Sequence, residues 1–104
     1  MNYSSTRERL ALIARFERVF KAAAGERGQR EDIVTLPNGM YETAWVLHER
    51  AVMHDEVNQA RAERGLPPVD RSVVDRAEQM ACGHVDYATK WPLYCAELVM
   101  RREE

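Results

Sequence analysis

The sequence contains few of the features that mark secreted or membrane-bound chains. Two cysteines among 104 residues cannot form the dense disulfide network of a small secreted fold. No run approaches the roughly 20 apolar residues that a membrane span needs. The first residues lack the apolar run of a signal peptide. We therefore expect a cytoplasmic chain with no membrane segment.

An excess of basic residues is also missing. Acidic residues number 17 and basic residues 15, which gives a formal net charge of −2. A general binder of nucleic acid or another polyanion normally carries a marked basic surplus. Nucleic acid is therefore not the partner that the composition favours.

The spacing of apolar residues predicts a single all-α domain over residues 1–104. We expect a compact bundle of about four helices, with a loop or a short extended segment between the first and second helices. The predicted helices cover about 5–25, 39–64, 70–82 and 86–101.

The first predicted helix opens with a capping box, in which Ser5 caps the helix and Glu8 reaches back to it. Its apolar residues recur at steps of three and four and predict one buried face, made of Leu12, Ile13, Phe16, Val19, Phe20 and Ala23.

The helical period stops between Gln29 and Gly39. Residues 33–36 can form one short extended segment, which ends at the turn sequence Pro37-Asn38-Gly39. We find no second strand for it. A lone strand leaves its backbone unpaired unless it pairs with another copy of itself, and we therefore predict a surface loop.

The second predicted helix begins after Asn38, its proposed cap, and ends at Gly65 before two prolines. Its first half is apolar on several sides, as in a helix that is surrounded by others. Its second half, 55–64, is mostly polar and is expected to face solvent or to lie over a neighbour. We therefore place this helix at the centre of the bundle.

Two shorter helices follow, capped by Asp70 and Asp86. The fourth contains Pro92, yet its apolar stripe continues across the proline. This continuity predicts a kinked but unbroken helix that packs on the second helix.

The aromatic residues suggest an interaction surface. Both tryptophans and most tyrosines lie on the stripes of the second and fourth helices, and such residues are enriched at protein interfaces. An ordinary core is the alternative explanation. The residues that we select as interface candidates are Tyr41, Trp45, His48, Val52 and Trp91.

No set of residues predicts catalysis. Cys82 lies near a helix end, where the helix dipole opposes formation of a thiolate, and no glycine-rich phosphate loop is present. We predict no catalytic residue, no cofactor and no enzymatic activity.

A zinc site is one open alternative. Its candidate ligands are Cys82, His84 and Cys95 with His48 or His54. Their spacing is poor for a structural site, and we predict no metal.

A nucleic-acid reader of the helix-turn-helix type is a second alternative. Residues 59–79 form a helix, a turn and a helix, with Arg71 and Arg76 placed to contact DNA. Against it, the turn is long, and Arg71 with Asp75 has the spacing of a surface ion pair.

Three segments in the second half carry a family resemblance. Arg64-Gly65-Leu66-Pro67-Pro68-Val69, Gly83-His84-Val85-Asp86-Tyr87 and Leu93-Tyr94-Cys95-Ala96-Glu97-Leu98 resemble segments of small uncharacterised helical proteins of actinobacteriophages. The resemblance implies an accessory phage or prophage product that binds and modulates another protein, most often one of the host. It carries no catalytic residue over. We therefore expect a non-enzymatic interaction protein, and a homodimer is one form that it can take.

Overall fold

The computed structural model describes the backbone of residues 3–101 and the side chains of residues 5–101. Four helices dominate it, which confirms the predicted all-α class. The elements are α1 (Tyr3–Ala24), a 3₁₀ turn (Arg27–Gln29), β1 (Ile33–Thr35), β2 (Tyr41–Thr43), α2 (Ala44–Glu63), α3 (Arg71–Cys82) and α4 (Tyr87–Met100).

The core forms where the apolar faces of the helices meet. Both α2 and α4 contact all three other helices, so the centre of the bundle is shared and not occupied by α2 alone. The predicted contact between α2 and α4 is present, but α4 packs most extensively on α1. The largest apolar side chains of this core are Leu12, Phe16, Phe20, Met53, Val57, Val74, Trp91, Leu98 and Val99.

The start of α1 differs from the prediction. The helix is already formed at Tyr3, so Ser5 lies inside it and is not its N-cap. The predicted capping box is therefore wrong. The apolar face is right, since Leu12, Phe16, Phe20 and Ala23 are all buried.

The predicted loop between the first two helices contains a β-hairpin. β1 pairs with β2 in antiparallel register, with Val34 opposite Glu42. The reversal is a turn in which Gly39 N donates to Leu36 O, and Gly39 has a φ of +86°, a left-handed conformation that suits glycine. A second strand therefore satisfies the backbone of the first within the same chain.

The start of α2 is consequently five residues later than predicted. Asn38 caps no helix; its Oδ1 accepts a hydrogen bond from Met40 N inside the hairpin turn. Residues 41–43, which were assigned to the helix, form β2.

Two arrangements were predicted for the second half of α2, facing solvent or lying over a neighbour, and its buried side shows the second. Val57, Ala60 and Arg61 are buried. The helix ends as predicted at Gly65, which has a φ of +70°. Gly65 N donates to Ala62 O and Leu66 N to Arg61 O, the pattern of a Schellman motif.

The last two helices follow the prediction closely. Asp70 and Asp86 occupy the N-cap positions, although neither side chain makes a capping hydrogen bond. α4 runs through Pro92 without a break. Within residues 3–101, no helix combines the length and apolar character needed to cross a membrane.

Candidate protein-binding surface

One face of the hairpin is exposed at three of its four residues, Ile33, Thr35 and Tyr41. The register places Ile33 opposite Thr43 and Thr35 opposite Tyr41, so these four side chains share a face, which we call the hairpin face. Ile33 is 64% exposed and Tyr41 70% exposed. They are diagonal neighbours and form a small apolar patch. The opposite face carries Val34 and Glu42, which are half-buried.

The hairpin is fixed to the start of α2. Ala44, the first residue of the helix, donates its N–H to Asp32 O at 2.8 Å. The carboxylate of Glu42 lies 3.6 Å from the guanidinium of Arg50, which is nearly two turns into the helix. The hairpin face therefore has a defined orientation relative to α2.

The first turns of α2 contact the 3₁₀ turn through a buried ion pair. Glu49 is 1% exposed and accepts two hydrogen bonds from Arg27, at 2.7 and 2.8 Å. These hydrogen bonds raise the pKa of Arg27. The Arg27 guanidinium also lies 4.0 Å from the ring centre of Trp45, a cation–π contact. Trp45 is thus half-buried against Arg27.

The predicted interface residues do not form one surface. Tyr41 is exposed in the hairpin, whereas Trp45, His48 and Val52 are half-buried on α2. His48 Nε2 lies 3.8 Å from Glu26, on the segment that also carries Arg27. Of these residues, Tyr41 is the one that offers most of its side chain to a partner.

Trp91 must be removed from the interface set, because it is 1% exposed. Its ring packs edge-on against Phe20, 5.5 Å between centroids, and lies 5.7 Å from the ring of Tyr87. Tyr87 and Trp91 of α4 thus pack on Phe20 of α1, and their ring contacts are not with Trp45 of α2. Trp91 is a core residue.

A second buried carboxylate, Glu78, joins α2, α3 and α4. Its Oε1 accepts hydrogen bonds from Arg50, and its Oε2 accepts them from Cys82 Sγ at 2.9 Å and Tyr87 OH at 3.2 Å. Burial and the negative charge of Glu78 raise the pKa of Tyr87. Burial, with the hydrogen bond to Glu78, raises the pKa of Cys82 to about 11. At neutral pH this thiol is protonated, so it is a poor nucleophile.

The candidate zinc ligands have other partners. His84 Nε2 lies 3.2 Å from Tyr94 OH, and His54 Nε2 lies 2.9 Å from Val69 O. Cys95 is buried in the core, and this burial raises its pKa. In the part of the chain that the structure describes, no three His, Cys, Asp or Glu side chains are grouped as a metal site would require.

The candidate DNA-reading segment is stabilised by contacts within the protein. Arg71 Nε donates to Asp75 at 3.0 Å, the ion pair predicted from their spacing, and Arg71 Nη2 donates to Leu47 O. These contacts hold the start of α3 against α2. The Arg71 guanidinium is therefore bound to groups of the protein itself, Asp75 and the carbonyl of Leu47.

A groove of about 470 Å³ lies beside α4. Its apolar wall includes Met80, Tyr94 and Leu98, and the ion pair between Arg9 and Glu97, at 2.9 Å, lies at its side. Met80 is 59% exposed, nearly as much as Ile33. This groove is the natural comparison for the hairpin face.

Two exposed apolar residues of the hairpin were missed by the sequence reasoning. Ile33 and Met40 were assigned to a loop and a helix start, yet both are exposed residues of the hairpin. The sequence did contain a signal for the hairpin. The turn Pro37-Asn38-Gly39 is preceded by the strand-favouring run Ile-Val-Thr and followed by Tyr-Glu-Thr, in which strand-favouring residues alternate with a polar one.

Comparisons of the chain with protein-family models, curated proteins and solved structures returned no match.

Proposed function

We propose that this chain is a non-enzymatic protein-binding module and that exposed side chains of the hairpin make the contact: Ile33 and Tyr41 on the hairpin face, with Met40 at the end of the turn. The observation that carries the proposal is the concentration of exposed apolar side chains. Of the six large hydrophobic residues that are exposed among those described, Ile33, Met40 and Tyr41 lie in one hairpin. Contiguous exposed apolar groups are typical of contact surfaces.

The character of this patch suits a protein partner. Tyrosine supplies a large contact area with few rotatable bonds, so little conformational entropy is lost on binding. Ile33 is β-branched and equally restricted. Burying either side chain against a partner contributes about 1.5–3 kcal/mol. A flat pair of this kind fits a protein surface better than it encloses a small molecule.

The groups that could perform chemistry support the same proposal. The thiol of Cys82 is held in its protonated form by burial and by Glu78. The buried carboxylates of Glu49 and Glu78 are each bound by an arginine. These groups act as internal links between elements and are not gathered in an open cleft.

The resemblance to actinobacteriophage proteins suggests where the partner is found. If the chain is a phage or prophage product, as we propose, it acts in the bacterial cytoplasm and binds a host or phage protein there. Binding would then modulate that protein, since the module itself supplies no reaction.

Site-specific photo-crosslinking tests the proposal. A photoreactive phenylalanine analogue replaces Tyr41 in one protein and Met80 in a matched control, because both residues are well exposed. After irradiation in an actinobacterial lysate, the adducts are identified by mass spectrometry. We expect a defined heterologous adduct from position 41 that is absent from position 80.

Competition makes the test specific. An excess of unlabelled wild-type protein is expected to abolish the adduct. An excess of the folded double variant, Ile33→Ser with Tyr41→Ser, is expected to leave the amount of adduct unchanged. Equal adducts from both positions, or equal competition by the two proteins, would contradict a role for the hairpin face.

A further inference from the structure

The outer edge of β1 presents backbone groups that have no partner in the hairpin. Ala44 N donates to Asp32 O just before β1, and Leu36 N donates to Met40 O just after it. The backbone N–H and C=O groups of the even-numbered residues Asp32, Val34 and Leu36 are therefore directed toward β2 and the turn. In an antiparallel ladder the residues between them direct their N–H and C=O groups the other way. Ile33 and Thr35 therefore direct two donors and two acceptors outward.

This edge lacks the features that normally prevent pairing with another strand. No lysine or proline lies within β1, and both Ile33 and Thr35 are exposed. Natural proteins usually protect such an edge with charge, proline or a covering segment. The first proline beyond the strand is Pro37, which has no N–H and so ends any longer ladder.

We propose that a second copy of this chain pairs with β1, antiparallel to it, about a two-fold axis at Val34. In this register Ile33 bonds to Thr35 of the second copy and Thr35 bonds to its Ile33. Four N–H···O bonds form, and each outward donor and acceptor of β1 is used once. The contact is the same surface on both copies, as a closed dimer requires.

The charges along the strand permit this register. Asp32 and its equivalent in the second copy lie on opposite sides of the axis, about 13 Å apart along the strand direction. Asp32 is placed opposite Leu36 and not opposite another carboxylate. No pair of like charges is brought together along β1.

The dimer would extend the hairpin face. Two hairpins joined at β1 form a four-stranded sheet in which Ile33 and Tyr41 of each copy lie on one side. The dimer would double the apolar surface that is offered to a partner. This last step rests on the proposed function and deepens it. The strand pairing itself depends only on the free edge.

The expected association is weak. β1 has three residues, far fewer than the 20–30 residues on each side of a standard stable interface. We therefore expect the dissociation constant of the dimer to lie between about 10 µM and about 1 mM.

Sedimentation equilibrium of the purified protein measures this association directly. The weight-average mass of the wild type is expected to rise with concentration from 12.0 kDa towards twice that value. Thr35→Pro removes an outward N–H without removing a hairpin bond and is expected to stay monomeric. Thr35→Val keeps that N–H and is the matched control, expected to associate like the wild type. Circular dichroism checks that each variant is folded.

A cysteine test reports the register and does not depend on the proline variant. Opposed Val34 residues on the axis would lie about 4.5 Å apart between Cα atoms, within disulfide range. In a Cys82→Ser background, Val34→Cys is expected to form a disulfide dimer under mild oxidation. Thr35→Cys is expected to form much less, because its equivalent lies beyond about 7 Å.

A wild type that stays at 12.0 kDa up to about 1 mM would overturn the inference, as would equal disulfide formation at positions 34 and 35. Its failure is distinguishable from failure of the proposed function. A monomeric protein that still gives the heterologous adduct at position 41 overturns the dimer alone. A dimer without that adduct overturns the proposed partner binding alone.

Discussion

The link between Arg27 and Glu49 holds the start of α2, and its removal has a calculable cost. Arg27→Met keeps most of the aliphatic stem but leaves the Glu49 carboxylate buried without its cation. Breaking a buried pair in this way costs about 3–5 kcal/mol. The Arg27 side chain is 38% exposed, so water can reach part of the carboxylate and the lower value applies. Loss of the contact with Trp45 adds about 0.5–1 kcal/mol. We expect a total near 3.5 kcal/mol.

The double variant separates this explanation from simple loss of packing. Arg27→Met with Glu49→Leu leaves no buried charge, so we expect it to be more stable than Arg27→Met alone by about 2 kcal/mol. Urea unfolding followed by far-ultraviolet circular dichroism measures both values, and at a slope of about 1.5 kcal/mol per molar urea the single variant shifts the midpoint by about 2 M. A loss below about 1 kcal/mol for Arg27→Met, or a double variant no more stable than it, would refute the reasoning.

Three further changes test other parts of the structure. Arg61 is fully buried and donates to the carbonyls of Pro67, Leu98 and Arg101. Arg61→Met should therefore lower the free energy of unfolding by about 3 kcal/mol in the same urea assay. Arg76 is exposed, and the control variant Arg76→Met should change this free energy by less than about 0.5 kcal/mol. Because the pKa of Cys82 is raised to about 11, its alkylation by iodoacetamide at about pH 8 should be slower than that of free cysteine by about two orders of magnitude; an equal rate would contradict the contact with Glu78. Gly39→Ala should cost about 1 kcal/mol in thermal unfolding because φ is +86°, and no loss would contradict that turn.

The helices could be predicted from the sequence because their signals are local and repeated. α1 has apolar residues at Leu12, Phe16 and Phe20, and all three are buried. Gly65 followed by leucine and proline predicted the end of α2, and the Schellman hydrogen bonds confirm it. Caps were less predictable, since Ser5 and Asn38 both occur in sequences typical of a cap and neither begins a helix.

The hairpin and the buried charged residues could not be predicted as easily from the sequence. Tyr41 and Ala44 fit the periodicity of a helix, so β2 was absorbed into α2. Glu49, Arg61 and Glu78 are polar in type, and only their tertiary partners make their burial possible. Periodicity alone therefore separated the core from the surface poorly in α2, where charged and apolar residues share the buried side.

Affinity for the partner identified by crosslinking tests the central claim most directly. Isothermal titration calorimetry compares three proteins: the wild type, the double hairpin variant Ile33→Ser with Tyr41→Ser, and Met80→Ala. The last is the control for an exposed hydrophobic residue elsewhere. Losing two buried apolar contacts of about 1.5 kcal/mol each predicts a Kd raised by about 100-fold for the hairpin variant, with less than about threefold change for Met80→Ala. An unchanged Kd for the hairpin variant, or a larger loss for Met80→Ala, would contradict the claim that the hairpin face binds the partner.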